Sequence, residues 1–78
     1  MIEVADTTLR YDRQRKLPLY AKAGVLEVWI EDLQNDLILV YREPAGTTYS
    51  TSLVFHRGDS ISPSAFVELT INVDDLLG

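Results

Sequence analysis

Three segments at the start of the chain constrain its fold more than any other feature. Residues 1–4 are apolar except for Glu3, residues 9–24 are basic and end in a glycine, and residues 25–32 are β-prone. Alternation with a period of two indicates a strand, whereas the middle segment has helical spacing. The sequence therefore predicts a strand, a helix and a second strand, and the rest of the chain reads as support for this unit.

The helical prediction rests on Leu17, Tyr20 and Ala21, which are spaced i, i+3 and i+4. Gly24 is a natural end for this helix, because glycine accepts the left-handed backbone that follows many helices. Pro18 leaves two alternatives open. It can kink a helix that begins near residue 11, or it can sit in the first turn of a shorter helix that begins near residue 16.

The second half of the sequence predicts an antiparallel meander, in which β-prone segments are separated by turn-forming Asn, Asp, Gly and Pro residues. The whole pattern indicates an α/β or α+β domain with one helix packed on a sheet. The predicted strands are Val25–Asp32, Leu37–Arg42 and Tyr49–His56, and in the first of them Leu26, Val28 and Ile30 are expected on one face. Residues 60–64 are expected to be irregular, and Leu69–Val73 to be a short β-prone piece. Asp74–Asp75 are expected to cap a final helical turn.

The composition indicates one small domain, residues 1–78, without disulfides. The chain contains 78 residues and no cysteine, so neither a disulfide framework nor a thiolate metal site can form. Chains of this size bury a modest core and often need a metal or a partner chain. Neither a signal peptide nor a membrane-spanning stretch is readable, so we expect a cytoplasmic protein with no membrane partner.

Charge is distributed unevenly along the sequence. The net charge is −5, yet residues 10–22 contain five basic residues and one acid, or +4, which leaves −9 for the remainder. A basic stripe on an acidic body can contact a phosphate backbone, whereas the plainer interpretation is a solvated helix face. The candidate nucleic-acid-binding residues are Arg10, Arg13, Arg15 and Lys22.

Several stretches of the sequence form a recognisable combination. They are Ile2–Val4, Thr7–Arg13, Lys16–Ala21 with Ala23–Val25, Glu27–Ile30 with Asp32, and, near the end, Gly58–Pro63 and Leu69–Asp74. Together they resemble the Uma-type putative restriction endonuclease family, which belongs to the PD-(D/E)XK nuclease superfamily. The resemblance implies a restriction-endonuclease-like mixed sheet flanked by helices, and a Mg²⁺-dependent endonuclease that acts on DNA.

The resemblance also implies the roles of two residues. Glu3 matches the metal-binding Glu of the family, and Lys16 matches a Lys displaced from the Glu-x-Lys position onto the following helix, since Val4-Ala5 offers no Lys. Mg²⁺ held by carboxylates neutralises charge on a phosphodiester and activates water, and a nearby Lys adds stabilisation. The catalytic candidates are Glu3 and Lys16, with Glu3 also the metal ligand.

The sequence departs from the family pattern at its start. The Pro-Asp of the family precedes the Glu-bearing strand, and this sequence begins inside that strand. We therefore expect a truncated domain that lacks the N-terminal part of the fold and the upstream metal-binding Asp, binds Mg²⁺ weakly and is inactive or weakly active alone. The alternative is a non-catalytic remnant or interaction module whose exposed sheet edge pairs with another chain, or with a second copy in a homo-oligomer.

Plainer structural roles remain open for the same residues. Glu3 can be a solvated acid at a strand end, and Lys16 a helix-surface charge that pairs with Asp12 four residues earlier. Trp29 is expected in the core or in an interface. The sequence offers no Cys, His or Ser pattern that would give His56 a metal-binding or catalytic partner. His56 is therefore expected to be an exposed or hydrogen-bonded strand residue.

Overall fold

A four-stranded mixed sheet with a helix on each face forms the centre of the molecule. The computed structural model describes the backbone of residues 2–5 and 9–78, and the side chains of residue 2 and of residues 16–78. The elements are β1 (Ile2–Ala5), α1 (Leu9–Lys22), β2 (Glu27–Asp32), β3 (Leu37–Ala45), β4 (Thr48–His56), β5 (Ser60–Ile61), β6 (Ile71–Asn72) and α2 (Val73–Leu77).

The strands follow one another across the sheet in the order β1-β2-β3-β4. Strand β1 runs parallel to β2, with Ile2 opposite Trp29, and the pairs β2–β3 and β3–β4 are antiparallel. A parallel pair requires a crossover connection, which α1 provides, whereas the antiparallel pairs need only tight turns. The predicted order of strand, helix, strand and meander is confirmed. Strands β5 and β6 form a separate two-stranded sheet.

Helix α1 covers one face of the four-stranded sheet. Its residues Leu17 and Tyr20 pack against a buried cluster of Val28, Ile30 and Leu39 from β2 and β3. The helical spacing predicted for this segment is therefore confirmed as the contact between helix and sheet.

The opposite face is covered by α2 and the small β5–β6 sheet. Its buried cluster contains Trp29, Ile38 and Val40 from the large sheet, joined by Ile61 from β5 and Val73 from α2. Strand β2 is thus buried on both faces, and Trp29 is a core residue, as one of the two interpretations expected.

Helix α1 runs without interruption through Pro18 to Lys22, which excludes the shorter helix that begins near residue 16. Its end is built as predicted at Gly24, whose φ is 79°. The amide of Gly24 donates a hydrogen bond to the carbonyl of Ala21, and the amide of Val25 donates one to the carbonyl of Tyr20. The N–O distance is 3.0 Å in each bond. This pair of bonds satisfies carbonyls that the last helical turn leaves open.

Three predicted strand boundaries and one alternation are wrong, and the smallest difference is that β4 begins at Thr48 rather than Tyr49. Strand β2 begins at Glu27 rather than Val25, because the amide of Val25 completes the end of α1. Leu26 is consequently 75% exposed instead of sharing a face with Val28. Strand β3 continues beyond Arg42 to Ala45.

Two predictions near the end of the chain are also wrong. Residues 60–64 are not wholly irregular, because Ser60–Ile61 pairs with Ile71–Asn72. This pairing joins residues distant in sequence, so local composition did not reveal it. The cap position of α2 is Asn72, which makes no side-chain capping bond, and Asp74–Asp75 lie within the first turn. There the carboxylates face the positive end of the helix dipole.

Candidate functional site

The parallel unit β1–α1–β2 brings together the elements that carry the two catalytic candidates. Glu3 is the strand-register partner of Ile30, and Val4 and Ala5 are the partners of Glu31 and Asp32. The side chain of Glu3 lies outside the described residues, so its role as a metal ligand stays a prediction.

Lys16 lies on α1, one residue before Leu17, and its side chain is partly buried. Leu17 packs against the cluster that contains Ile30, the residue beside which Glu3 is registered. The strand position of Glu3 and the helix position of Lys16 therefore both adjoin the same buried cluster. The predicted pair with Asp12 involves a side chain outside the described residues.

The basic residues of the charge window all belong to α1. Lys22, in the last turn, is exposed and accessible to an anion in solution. The side chains of Arg10, Arg13 and Arg15 lie outside the described residues, and their role in nucleic-acid binding stays a prediction.

Two carboxylates on β2, Glu31 and Asp32, occupy the register positions that follow that of Glu3. Asp32 belongs to the stretches that carry the family resemblance, whereas sequence reasoning assigned no role to Glu31. Asp32 is buried and accepts hydrogen bonds from the backbone amide of Asn35 over 3.2 Å and from its side-chain amide over 2.8 Å, so it stabilises the turn after β2. Glu31 is partly buried, and desolvation by burial raises the pKa of its carboxyl. Its alternation with Trp29 was the only sequence signal.

A metal ion at this position would depend on the side chain of Glu3, which lies outside the described residues. Among the residues that the structure describes, no group of three or more His, Cys, Asp or Glu side chains could hold a metal ion. Mg²⁺ is usually bound by one or two protein carboxylates, with water and substrate phosphates completing an octahedron. A Mg²⁺ site on Glu3 therefore stays a prediction.

A second group of polar residues surrounds Glu27 at the start of β2. Arg42 donates from Nε to Glu27 Oε2 over 2.5 Å, and Ser64 donates to Oε1 from its backbone amide over 3.0 Å and from its hydroxyl over 2.9 Å. Burial acts to raise the pKa of Glu27, but hydrogen bonds from Trp29, Arg42 and Ser64 outweigh it and lower the pKa to about 2. The carboxylate is held ionised and ties the loop after β5 to the sheet.

A groove of about 350 Å³ lies between the second half of α1 and the β3–β4 hairpin. Its wall includes Tyr41 and Tyr49, whose rings meet at a centroid distance of 6.2 Å. The hydroxyl of Tyr49 donates to the carbonyl of Val25 over 2.6 Å, and burial raises the pKa of this phenol. The groove is lined by Leu17, Pro18, Tyr41, Thr47, Thr48, Tyr49 and Ser52.

His56 is exposed at the end of β4, where its backbone amide donates to Asp59 over 2.8 Å. This agrees with one of the two structural interpretations of His56. None of the helices in the described part of the chain has both the length and the apolar character that crossing a membrane requires.

The mixed sheet, its parallel crossover helix and its antiparallel meander form a restriction-endonuclease-like α+β fold. A family model described as "Uma2: Putative restriction endonuclease" matches residues 1–74. The chain belongs to this family. Neither the curated proteins nor the solved structures contain a match.

Proposed function

We propose that this chain is a metal-dependent DNA endonuclease domain of the Uma type, with its chemistry where β1 and α1 adjoin β2. The supporting observation is the family match over residues 1–74, combined with a parallel unit that registers Glu3 beside Ile30 and packs the helix of Lys16 over the same residue. In this proposal Glu3 is a ligand of Mg²⁺, and Lys16 stabilises negative charge on the phosphate.

The proposal includes weak or absent cleavage by the isolated chain. A single carboxylate holds Mg²⁺ weakly, and no group of three or more potential metal ligands occurs among the described residues. A further carboxylate has to join Glu3, and a second polypeptide is one source. When bound, Mg²⁺ would supply charge neutralisation at the phosphodiester and activation of water.

DNA contact is assigned to the basic residues of α1. Arg10, Arg13, Arg15 and Lys22 belong to this one helix, in a chain whose remaining residues carry a charge of −9. Cations concentrated on one element neutralise phosphates, while an acidic body keeps the protein soluble.

Plasmid nicking and metal binding test this proposal together. Purified chain is incubated with supercoiled plasmid in Mg²⁺ or Mn²⁺, beside Glu3→Gln and Lys16→Ala, with Glu68→Gln as a control because Glu68 is exposed. We expect slow metal-dependent nicking that both site variants abolish and the control retains. Metal titration followed by thermal unfolding gives a second measurement, in which Glu3→Gln removes the stabilisation by Mg²⁺. Nicking that persists in both site variants contradicts the assignment.

Strand addition at β1 is the second candidate function. Within the described sheet β1 is the outermost strand and pairs with β2 alone. An outer strand presents backbone N–H and C=O groups that another chain can bind. In this proposal the domain is an interaction module, and a second copy or another protein completes its sheet.

Sedimentation velocity distinguishes the two candidates. A module that associates through β1 sediments as a complex whether or not metal and DNA are present, and Glu3→Gln and Lys16→Ala leave the association unchanged. A nuclease domain without this function forms no complex that persists without metal and DNA.

A further inference from the structure

We propose that the apolar pocket beside β1 is an anchor site for an extended segment of a partner polypeptide, which carries one large apolar side chain and a Lys or Arg two residues away. This inference rests on strand addition at β1, the second candidate function, and names the chemistry of the added strand.

The pocket lies on the face of the sheet opposite α1 and reaches the outer strand. It has a volume of about 230 Å³. Small-molecule pockets usually measure about 300–1,000 Å³, so this one suits a single side chain better than a free ligand. Its lining residues are Ile2, Glu27, Trp29, Pro63, Phe66 and Ile71.

The apolar residues at the pocket mouth are accessible. Ile2 on β1 is 55% exposed, and Phe66 in the loop between β5 and β6 is 59% exposed. Val67 and Leu69, which belong to the same loop but do not line the pocket, are exposed as well. Single exposed apolar residues are common, but a group of them around an apolar pocket marks an interaction site.

Glu27, the acidic residue in the pocket wall, does not disfavour the binding of an apolar side chain. Both oxygens of Glu27 accept hydrogen bonds, from Arg42 and from Ser64. The charge is therefore compensated within the domain, and an apolar side chain can enter without removing the solvent from an unpaired ion.

Glu31 carries a carboxylate that has no cationic partner among the described residues. It follows Trp29 by two residues on β2, so both side chains project from the same face. Its register partners are Val4 and Ile38, which are both apolar. No ion pair or side-chain hydrogen bond joins Glu31 to another of the described residues, and its carboxyl is partly desolvated.

The pocket and Glu31 together define the spacing between the two side chains of the added strand. Neighbouring strands lie about 4.8 Å apart, so an added strand stands two strand spacings from β2. A Lys or Arg side chain can extend its stem over β1 and place its charge near Glu31. An apolar side chain two residues away on the same face reaches the pocket at the level of Ile2 and Trp29. Backbone hydrogen bonds to β1 would supply affinity, and these two side chains would supply specificity.

Fluorescence anisotropy with synthetic peptides tests the inference on the full chain. The probe is a labelled eight-residue peptide with Thr at alternate positions and with one Phe and one Lys two residues apart. Peptides with Phe before Lys and with Lys before Phe are both made, because the added strand can run in either direction. Matched peptides carry Ala for Phe, Glu for Lys, or N-methylated backbone amides. The protein variants are Phe66→Ala with control Leu19→Ala, another exposed apolar residue, and Glu31→Gln with control Glu43→Gln, an exposed acid on β3 outside the pocket.

We expect the peptide to bind in one of the two orders. Phe66→Ala and the Ala peptide should each weaken binding about tenfold. Glu31→Gln should weaken binding about threefold and remove the dependence of binding on salt. Both controls should bind normally. Because the Ala peptide removes the anchor without altering the protein, the result does not depend on how the variants fold.

The outcomes separate the inference from the function on which it rests. Binding that N-methylation abolishes, but that Phe66→Ala and Glu31→Gln leave unchanged, overturns the anchor site and retains strand addition. Binding that Phe66→Ala abolishes, but N-methylation does not, overturns strand addition. No binding by any peptide overturns the inference, and a stable dimer in sedimentation would then identify a second copy as the occupant.

Discussion

Glu27 and Arg42 are register partners on β2 and β3, and their side chains form an ion pair with an Nε–Oε2 distance of 2.5 Å. The guanidinium also donates from Nη2 to the carbonyl of Ser62 over 2.7 Å. The same carboxylate binds Ser64, so this pair connects the two central strands to the loop that forms one wall of the apolar pocket.

Replacing Arg42 by Ala should destabilise the domain by about 2 kcal/mol, because it leaves a partly buried carboxylate without its charged donor. Urea denaturation measures the change. Arg57→Ala is the matched control: Arg57 pairs with Asp36 and Asp74 at the surface, where ion pairs contribute little, and we expect a change below about 0.5 kcal/mol. Equal losses in the two variants would contradict the structural role of Arg42.

Glu27 should make stability sensitive to acid. Its pKa is lowered from 4.5 to about 2 in the folded protein, so the ionised carboxylate stabilises the fold above pH 4.5, and this contribution is lost as the pH falls from 4.5 toward 2. Thermal unfolding between pH 7 and pH 2.5 should show a larger fall for the wild type than for Glu27→Gln. Parallel curves for the two proteins would disprove this linkage.

Glu31 should act in the opposite direction. Burial raises its pKa above 4.5 in the folded protein, so ionisation of this residue costs stability at neutral pH, and the cost disappears as the pH falls below 4.5. Glu31→Gln is expected to raise the unfolding temperature at pH 7 and to leave it unchanged at pH 3.5. Glu68→Gln, at an exposed site, serves as the control at both pH values.

Gly24 should tolerate Asn better than Ala. Its φ of 79° is unfavourable for most L-residues, although a Cβ there would meet no atom within 4 Å. The cost of Gly24→Ala is therefore conformational, about 1 kcal/mol, and Gly24→Asn should cost less because Asn accepts this backbone conformation more readily. Both values come from denaturant unfolding, and a larger loss with Asn would contradict the explanation.

The basic residues of α1 should control DNA affinity in proportion to salt. Replacing Arg10, Arg13, Arg15 and Lys22 by Gln should reduce the slope of log affinity against log salt by about 0.9 for each phosphate that the helix no longer neutralises. Electrophoretic mobility shift at several salt concentrations measures it. Arg57→Gln, which alters a cation outside this helix, should leave the slope unchanged if α1 is the DNA-binding surface.

The local pattern of the sequence was enough for the main elements. Helical spacing at Leu17, Tyr20 and Ala21 predicted the packing face of α1, and Gly24 predicted its end, because backbone periodicity and glycine conformation are local properties. Turn-forming residues likewise separated the strands of the meander. The family resemblance, carried by short motifs in order, was confirmed by the match over residues 1–74.

Only the tertiary structure decided which residues meet across the fold. The pairing of Ser60–Ile61 with Ile71–Asn72 and the bond from Ser64 to Glu27 join distant residues, and no local pattern encodes such pairings. Two-sided burial of β2 likewise depends on α2 and β5 covering the second face. The sequence by itself thus determined the elements and the family. The ion pair at Glu27, the partial burial of Glu31 and the pocket at Ile2 arise from packing, because charge compensation, burial and pocket shape depend on what the folded chain places nearby.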